Sequence, residues 1–244
     1  MLALLDSGVG GLTVARALRA LCPSVDILYL ADSANAPYGT KSERELLPLL
    51  VRSIEALLAR GGARVVLACI TASCLYDRLP EALKPRVIPI LPFVAEEIAA
   101  SGGRVGIIAT EATVHSAALP RALLRYGCHA PVERCAAQRL VALAEAGRTD
   151  ASDPEVREAL ERAIAPLLYR GVDTLVLGCT HFPYFEEAIR SLYGGLRIIS
   201  PARVGSEALV RTLPPELLLG EGRFLYLVSS VGGREKLKMK DRKK

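Results

Sequence analysis

Two segments of the chain, 65–71 and 175–181, share one pattern: an apolar run, a small residue (Ala68 or Gly178), then a cysteine, with a threonine one or two places on. The cysteines, Cys69 and Cys179, stand 110 positions apart. A short apolar run ending at a turn reads as a buried strand. A second landmark recurs at nearly the same interval. Residues 2–5 run into Asp6-Ser7-Gly8-Val9-Gly10-Gly11 and a helical stretch, and residues 105–108 run into Ala109-Thr110-Glu111-Ala112-Thr113 and another, 103 positions on. Two unrelated landmarks with similar intervals point to a duplicated α/β unit. Ligands bind at the carboxyl ends of strands in such sheets. Two facing units would therefore set Cys69 and Cys179 on opposite walls of one cleft.

Strand and helix patterns alternate along the chain. Strands are expected at 2–5, 25–30, 64–68, 86–91, 104–108, 131–135, 173–177, 196–199 and 224–228, with helices between them. Ser42 with Glu45 forms a capping-box pattern, and 150–154 starts another helix with Pro154 near its first position. Alternation of this kind implies parallel sheets flanked by helices. The expected fold is α/β: two similar domains related by a pseudo-twofold, with the active site in the cleft between them. Pro89 and Pro92 bracket one crossover and Pro201 marks the way back. The first domain is expected to take 1–92 plus 203–233, the second 93–202, leaving 234–244 as a basic tail.

Several function classes fall away. No run of 18 apolar residues exists, so no membrane span is expected. The first strand begins at Leu2 with no basic segment before it, which argues against a signal peptide and for a cytoplasmic protein. In such a compartment the six cysteines are not a disulfide framework. They lack metal-ligand spacing too; Cys128-His129 is one weak pair without a second, and no metal is expected. The formal charge of +5 resides in 234–244, which holds seven Lys/Arg and two Asp/Glu; residues 1–233 carry 24 of each sign. Nucleic-acid binding is therefore not expected of the body, and the tail reads as a solvated, frayed end.

The candidate site residues each admit a plainer reading. The turn from Asp6 to Gly11 can hold an anion on its N–H groups or be purely structural. As a dinucleotide fingerprint, with Asp32 for the ribose, it fails at Thr13, where close helix packing needs Gly or Ala, and at Asp6, which would repel a pyrophosphate. Pro37-Tyr38-Gly39 is a turn at the end of the second strand, with or without chemistry. Free cysteines are most often small buried hydrophobes. The matched placement of Cys69 and Cys179, with hydroxyls after each and His181 and Asp6 near, instead suits thiols that gain and lose protons.

DSGVGGLTV, ADSANAPYGTKS, the cysteine segment at 69, ATEATVHS and LGCTHFPYF resemble, in order and spacing, the motifs of the glutamate racemases, within the cofactor-independent aspartate/glutamate racemase family. The resemblance covers about residues 2–210 and is most specific at GCTHFP; the aspartate branch typically has an acidic residue where His181 stands. It implies two α/β domains, no cofactor, and interconversion of L- and D-glutamate for peptidoglycan synthesis. Carried over motif by motif, Cys69 and Cys179 would be the acid–base thiols, assisted by Asp6, Glu145 and His181. Asp6, Ser7, Pro37, Tyr38, Gly39, Thr71, Thr113, Thr180 and His181 would bind the substrate. The sequence allows a homodimer without fixing the oligomeric state.

Those residue types suit an inversion at carbon. One base cannot easily remove a proton from one face and deliver another to the opposite face, whereas two thiols across a cleft can. A reference thiol pKa of about 8.5 lets a thiolate and a thiol coexist. One position departs from the resemblance: the family's Cys-Asn-Thr is Cys69-Ile70-Thr71 here. Ile70 is expected to face the substrate as the limiting defect, so that a racemase of altered specificity, or a non-catalytic amino-acid-binding relative, are the alternatives.

Overall fold

The computed structural model describes residues 1–230 and the strand at 236–238. Leu2 and Leu4 belong to one apolar core, Ala3 and Leu5 to another. That alternation is the period-2 geometry of a strand buried on both faces. In chain order the elements are β1 (Leu2–Asp6), α1 (Leu12–Leu21), β2 (Ile27–Ala31), α2 (Glu43–Ala59), β3 (Arg64–Leu67), α3 (Ile70–Ser73), β4 (Val87–Pro89) and α4 (Leu91–Ala100). Then follow β5 (Val105–Ala109), α5 (Glu111–His115), α6 (Ala118–Arg125), β6 (Glu133–Ala136), α7 (Gln138–Glu145), α8 (Pro154–Tyr169) and β7 (Thr174–Gly178). The chain ends with α9 (Glu186–Leu192), β8 (Arg197–Ile199), α10 (Pro201–Thr212), α11 (Pro215–Leu218), β9 (Phe224–Val228) and β10 (Lys236–Lys238).

These strands form two sheets, ordered β10-β9-β2-β1-β3-β4 and β6-β5-β7-β8. All pairings are parallel except β10 with β9. Helix α2 presents Leu46, Leu50, Ile54 and Leu57, at helical spacing, to the core containing Ala3, Leu5, Val65 and Leu67. The Ser42–Glu45 capping box starts it, as the sequence predicts. Asp153 caps α8 through Glu155 N, with Pro154 in the first turn. The other face of the first sheet shares one continuous apolar cluster with the second: Leu4, Val14 and Tyr29 join Ile107, Val176 and Ile199 in it. The two sheets are thereby held with β1, β3, β5 and β7 ending at a common seam.

Local departures from the sequence reading have visible causes. The helix expected between the strands at 64–68 and 86–91 is only α3, with a 3-10 turn at Tyr76–Arg78. Ser73 Oγ is tied to Leu67 O and accepts from Ile90 N, which pins that turn to the start of α4. The helix expected between the strands at 104–108 and 131–135 is split at Ser116, whose backbone is extended and whose hydroxyl accepts from Ala118 N. The expected frayed tail contributes β10, which takes the edge that β9 would otherwise leave open. The rest of the 234–244 tail lies outside the described residues. Among the described residues, no helix is long and apolar enough to cross a membrane.

Candidate active site

The seam is built from strand ends. Asp6 closes β1, Cys69 follows β3 and caps the start of α3, and Cys179-Thr180-His181 follows β7. Asp6, Cys69, Cys179, Thr180 and His181 are all buried. Thr180 Oγ1 donates to Asp6 Oδ2 at 2.9 Å, a direct bond between the two sheets' strand ends. Gly8 N donates to the other oxygen of Asp6 at 3.0 Å. Burial pushes the Asp6 carboxyl up, against the opposing pull of the His181 charge and these hydrogen bonds.

The thiols have different company. Burial pushes Cys69 well up, and negative charge on Asp6 and Cys179 adds to the shift. Cys179 Sγ lies 3.6 Å from His181 Nδ1, and His181 Nε2 lies 2.6 Å from Glu145 Oε1. Burial alone would depress the imidazole; the Cys179 and Glu145 hydrogen bonds, with the negative charges beside it, outweigh burial and lift His181 to about 11. The same His181 bond holds the Glu145 carboxyl below its ordinary value.

Three hydroxyls meet across the seam. Thr71 Oγ1 is 3.0 Å from Thr110 Oγ1 and 3.1 Å from Thr113 Oγ1, and Thr110 and Thr113 are 3.0 Å apart. Gly39 closes against this group: a Cβ there would come within 2.5 Å of Thr110 Cβ. Ser7 is buried at the start of the glycine turn, and Pro37 is exposed, in a cis peptide with Ala36. The structure thus gathers Asp6, Ser7, Cys69, Thr71, Thr113, Cys179, Thr180, His181 and Glu145 along one seam, with Gly39 at its end.

Three expectations need correction. The N–H groups of the glycine turn already serve the protein's own carboxylates, Asp6 through Gly8 and Glu145 through Val9. Asp32, already rejected on sequence grounds as a ribose ligand, takes hydrogen bonds from Asn35, Tyr38, Ser53 and Ser229. The Tyr38 hydroxyl is spent on that bond at 2.6 Å, which leaves the backbone of its turn to meet a ligand. Finally, Ile70 is not open to solvent in the cleft: it is buried in the apolar cluster that joins the two sheets and includes Ile90, Leu91 and Leu119. Helix α3 begins at residue 70, and a helix turns successive side chains by about 100°, so Ile70 and Thr71 point apart.

Sequence reading also misses contributors. Thr110 belongs to the hydroxyl triangle, and its signal is the first threonine of Thr110-Glu111-Ala112-Thr113. Tyr29 and Tyr184 donate to Gly8 O and Val9 O and hold the glycine turn from both sides. Among the described residues, no three His, Cys, Asp or Glu gather as a metal ion would require.

Residues 12–209 match the model of the Asp/Glu/hydantoin racemase family. The chain belongs to that family. A glutamate racemase of Desulforudis audaxviator is 40% identical over 194 residues, covering 78% of this chain and 70% of the relative. Among solved structures, a glutamate racemase isoform of Bacillus anthracis superposes with a TM-score of 0.84 at 29% identity, covering 94% of this chain and 88% of that one. A Francisella tularensis glutamate racemase in complex with D-glutamate superposes equally well, at 0.84 and 26% identity, covering 94% and 88%. The chain is an amino-acid racemase with the two-sheet architecture of this family.

Proposed function

We propose that this racemase interconverts L- and D-glutamate by a two-thiol acid–base reaction, with no cofactor. One observation carries the reading: two buried thiols end strands of two facing sheets, and each has its own proton-handling partner, Asp6 for Cys69 and the His181–Glu145 pair for Cys179. The His181 ring nitrogen 3.6 Å from Cys179 Sγ is placed to exchange a proton with that sulfur, while burial keeps the proton on Cys69. Cys179 then removes the Cα proton of one enantiomer and Cys69 delivers a proton to the opposite face; the other enantiomer uses the thiols in reverse. Asp6 exchanges protons with the Cys69 side, as His181 does with Cys179. The hydroxyls of Thr71, Thr113 and Thr180, with the Pro37–Gly39 backbone and Ser7, hold the carboxylates and stabilise the charge that develops beside Cα.

The substrate rests on the glutamate racemases to which the chain is similar, one of them solved with D-glutamate. Ile70, the reason for considering altered specificity or loss of catalysis, packs among apolar side chains, and the similarity to glutamate racemases favours the glutamate reading over those alternatives. The reading takes 1–92 with 203–233 as one domain and 93–202 as the other, and assigns the D-glutamate to peptidoglycan synthesis in the cytoplasm, where six free cysteines stay reduced. Incubation with L-glutamate in deuterated water tests it. Optical rotation should decay with deuterium entering at Cα, and Cys69→Ser and Cys179→Ser should each slow this by about 10²–10⁴-fold. Folded protein without exchange would overturn the glutamate reading, and loss at only one cysteine would overturn the two-thiol scheme.

A further inference from the structure

We infer that Gln138 is a binding residue for the side-chain carboxylate of the substrate, and so helps select a dicarboxylic amino acid. The inference rests on the glutamate reading above and names a residue outside the motifs that led to it. Among the described residues, Gln138 Oε1 is the one buried side-chain oxygen or nitrogen without a hydrogen-bond partner. A buried amide with an idle end is costly in a folded protein unless something claims it. Its position says what could. A Cβ placed on Gly39 would come within 2.6 Å of Gln138 Oε1, so the amide lies against the Pro37–Gly39 turn, beside Thr110 of the hydroxyl triangle. The residue also helps line an open depression with Arg139, Leu140 and Glu155, while its amide oxygen is buried against the turn.

Helix α7 sets this amide apart from the reacting end of the site. Gln138 begins the helix and Glu145 ends it, about 10 Å further along at 1.5 Å per residue. Glu145 meets His181 and Gly8, next to Asp6 and Cys179. The ammonium group of an amino acid belongs at that end, where the Asp6 and Glu145 carboxylates are. The far end of the substrate then points toward Gln138, Gly39 and Thr110. Half a turn of the amide about its last torsion exchanges Oε1 for Nε2 and breaks no hydrogen bond of Oε1. It directs two N–H donors at an incoming carboxylate. Ile70, packed in the core, supplies no amide from the opposite wall.

Calorimetric titration with L-glutamate tests this in the full chain, whether or not turnover occurs. Gln138→Leu keeps the size and removes the donor; glutamate should bind about tenfold more weakly, while the ligand-free protein melts no lower than the parent because the idle polar atom is gone. Gln138→Glu keeps the shape and adds a charge of the wrong sign; binding should weaken further, by about a hundredfold. Unchanged affinity in Gln138→Leu, to within twofold, would overturn the inference. So would parental or tighter binding by Gln138→Glu, which would place an ammonium group there. Failure of the glutamate reading itself is seen separately, as absence of deuterium exchange in the parent.

Discussion

His181 Nε2 and Glu145 Oε1 are 2.6 Å apart, joining the end of α7 to the turn after β7. Glu145 is one of the groups that keep His181 protonated up to about 11 against its burial. Glu145→Gln removes that charge and lets the imidazole lose its proton at lower pH. The alkaline limb of kcat/KM should move to lower pH, with a loss of roughly tenfold at pH 8. A pH–rate profile identical to the parent's would mean that Glu145 does not govern His181.

The same shift has a stability consequence with a definite sign. A histidine raised from 6.5 to about 11 on folding holds its proton where the unfolded chain has released it. Its contribution is complete below about pH 6.5 and is lost as pH rises toward 11. The raised Cys69 thiol acts in the same direction above its unfolded value of about 8.5. The urea midpoint should therefore fall between pH 7 and pH 10. His181→Gln should flatten the early part of that decline; an undiminished slope would show that other groups set it.

The glycine turn is tight in two different ways. A Cβ on Gly10 would lie 2.5 Å from Thr180 Oγ1 and 2.7 Å from His181 Nδ1, atoms already bonded to Asp6 and Cys179. A Cβ on Gly8 would meet only the end of the Glu145 side chain, at 2.5 Å, which can swing aside. Gly10→Ala should lower kcat/KM by about a hundredfold or more, because the thiol's partner must move. Gly8→Ala should cost about tenfold or less, resembling Glu145→Gln. Equal effects from the two would contradict this distinction.

Ile70→Asn tests the placement of residue 70. An asparagine there would bury an amide among apolar side chains and give up packing, costing about 2–4 kcal/mol. Urea unfolding should show that loss, with no gain in kcat/KM for glutamate. A gain in kcat/KM at unchanged stability would instead put this side chain at the substrate.

Much of the architecture and the thiol pair is legible in the sequence, because β1, β3, β5 and β7 are apolar runs and the candidate site residues stand at or just after their ends. Asp6, Cys69, Cys179 and His181 are all found that way. The packing of residue 70 among apolar side chains is not legible from its adjacency to Cys69, because that adjacency says nothing of direction once a helix begins there. Gln138 leaves no trace in CAAQRL: its idle oxygen becomes visible only when Gly39, a hundred residues earlier, lies against it. The Asp32 cluster is hidden similarly, since Ser229 reaches it from the far end of the chain.

The first sheet is assembled from both ends of the polypeptide. Strand β9 lies beside β2, and Arg223 grips Asp26 across a separation of 197 residues. A ribosome therefore delivers the pieces out of order. The four-stranded sheet has every strand once residue 199 has emerged, while β2 waits with an unpaired edge until residues 224–228 arrive. The nascent chain should thus complete its middle portion first, and a premature stop near residue 220 would damage the part of the protein that was synthesised earliest.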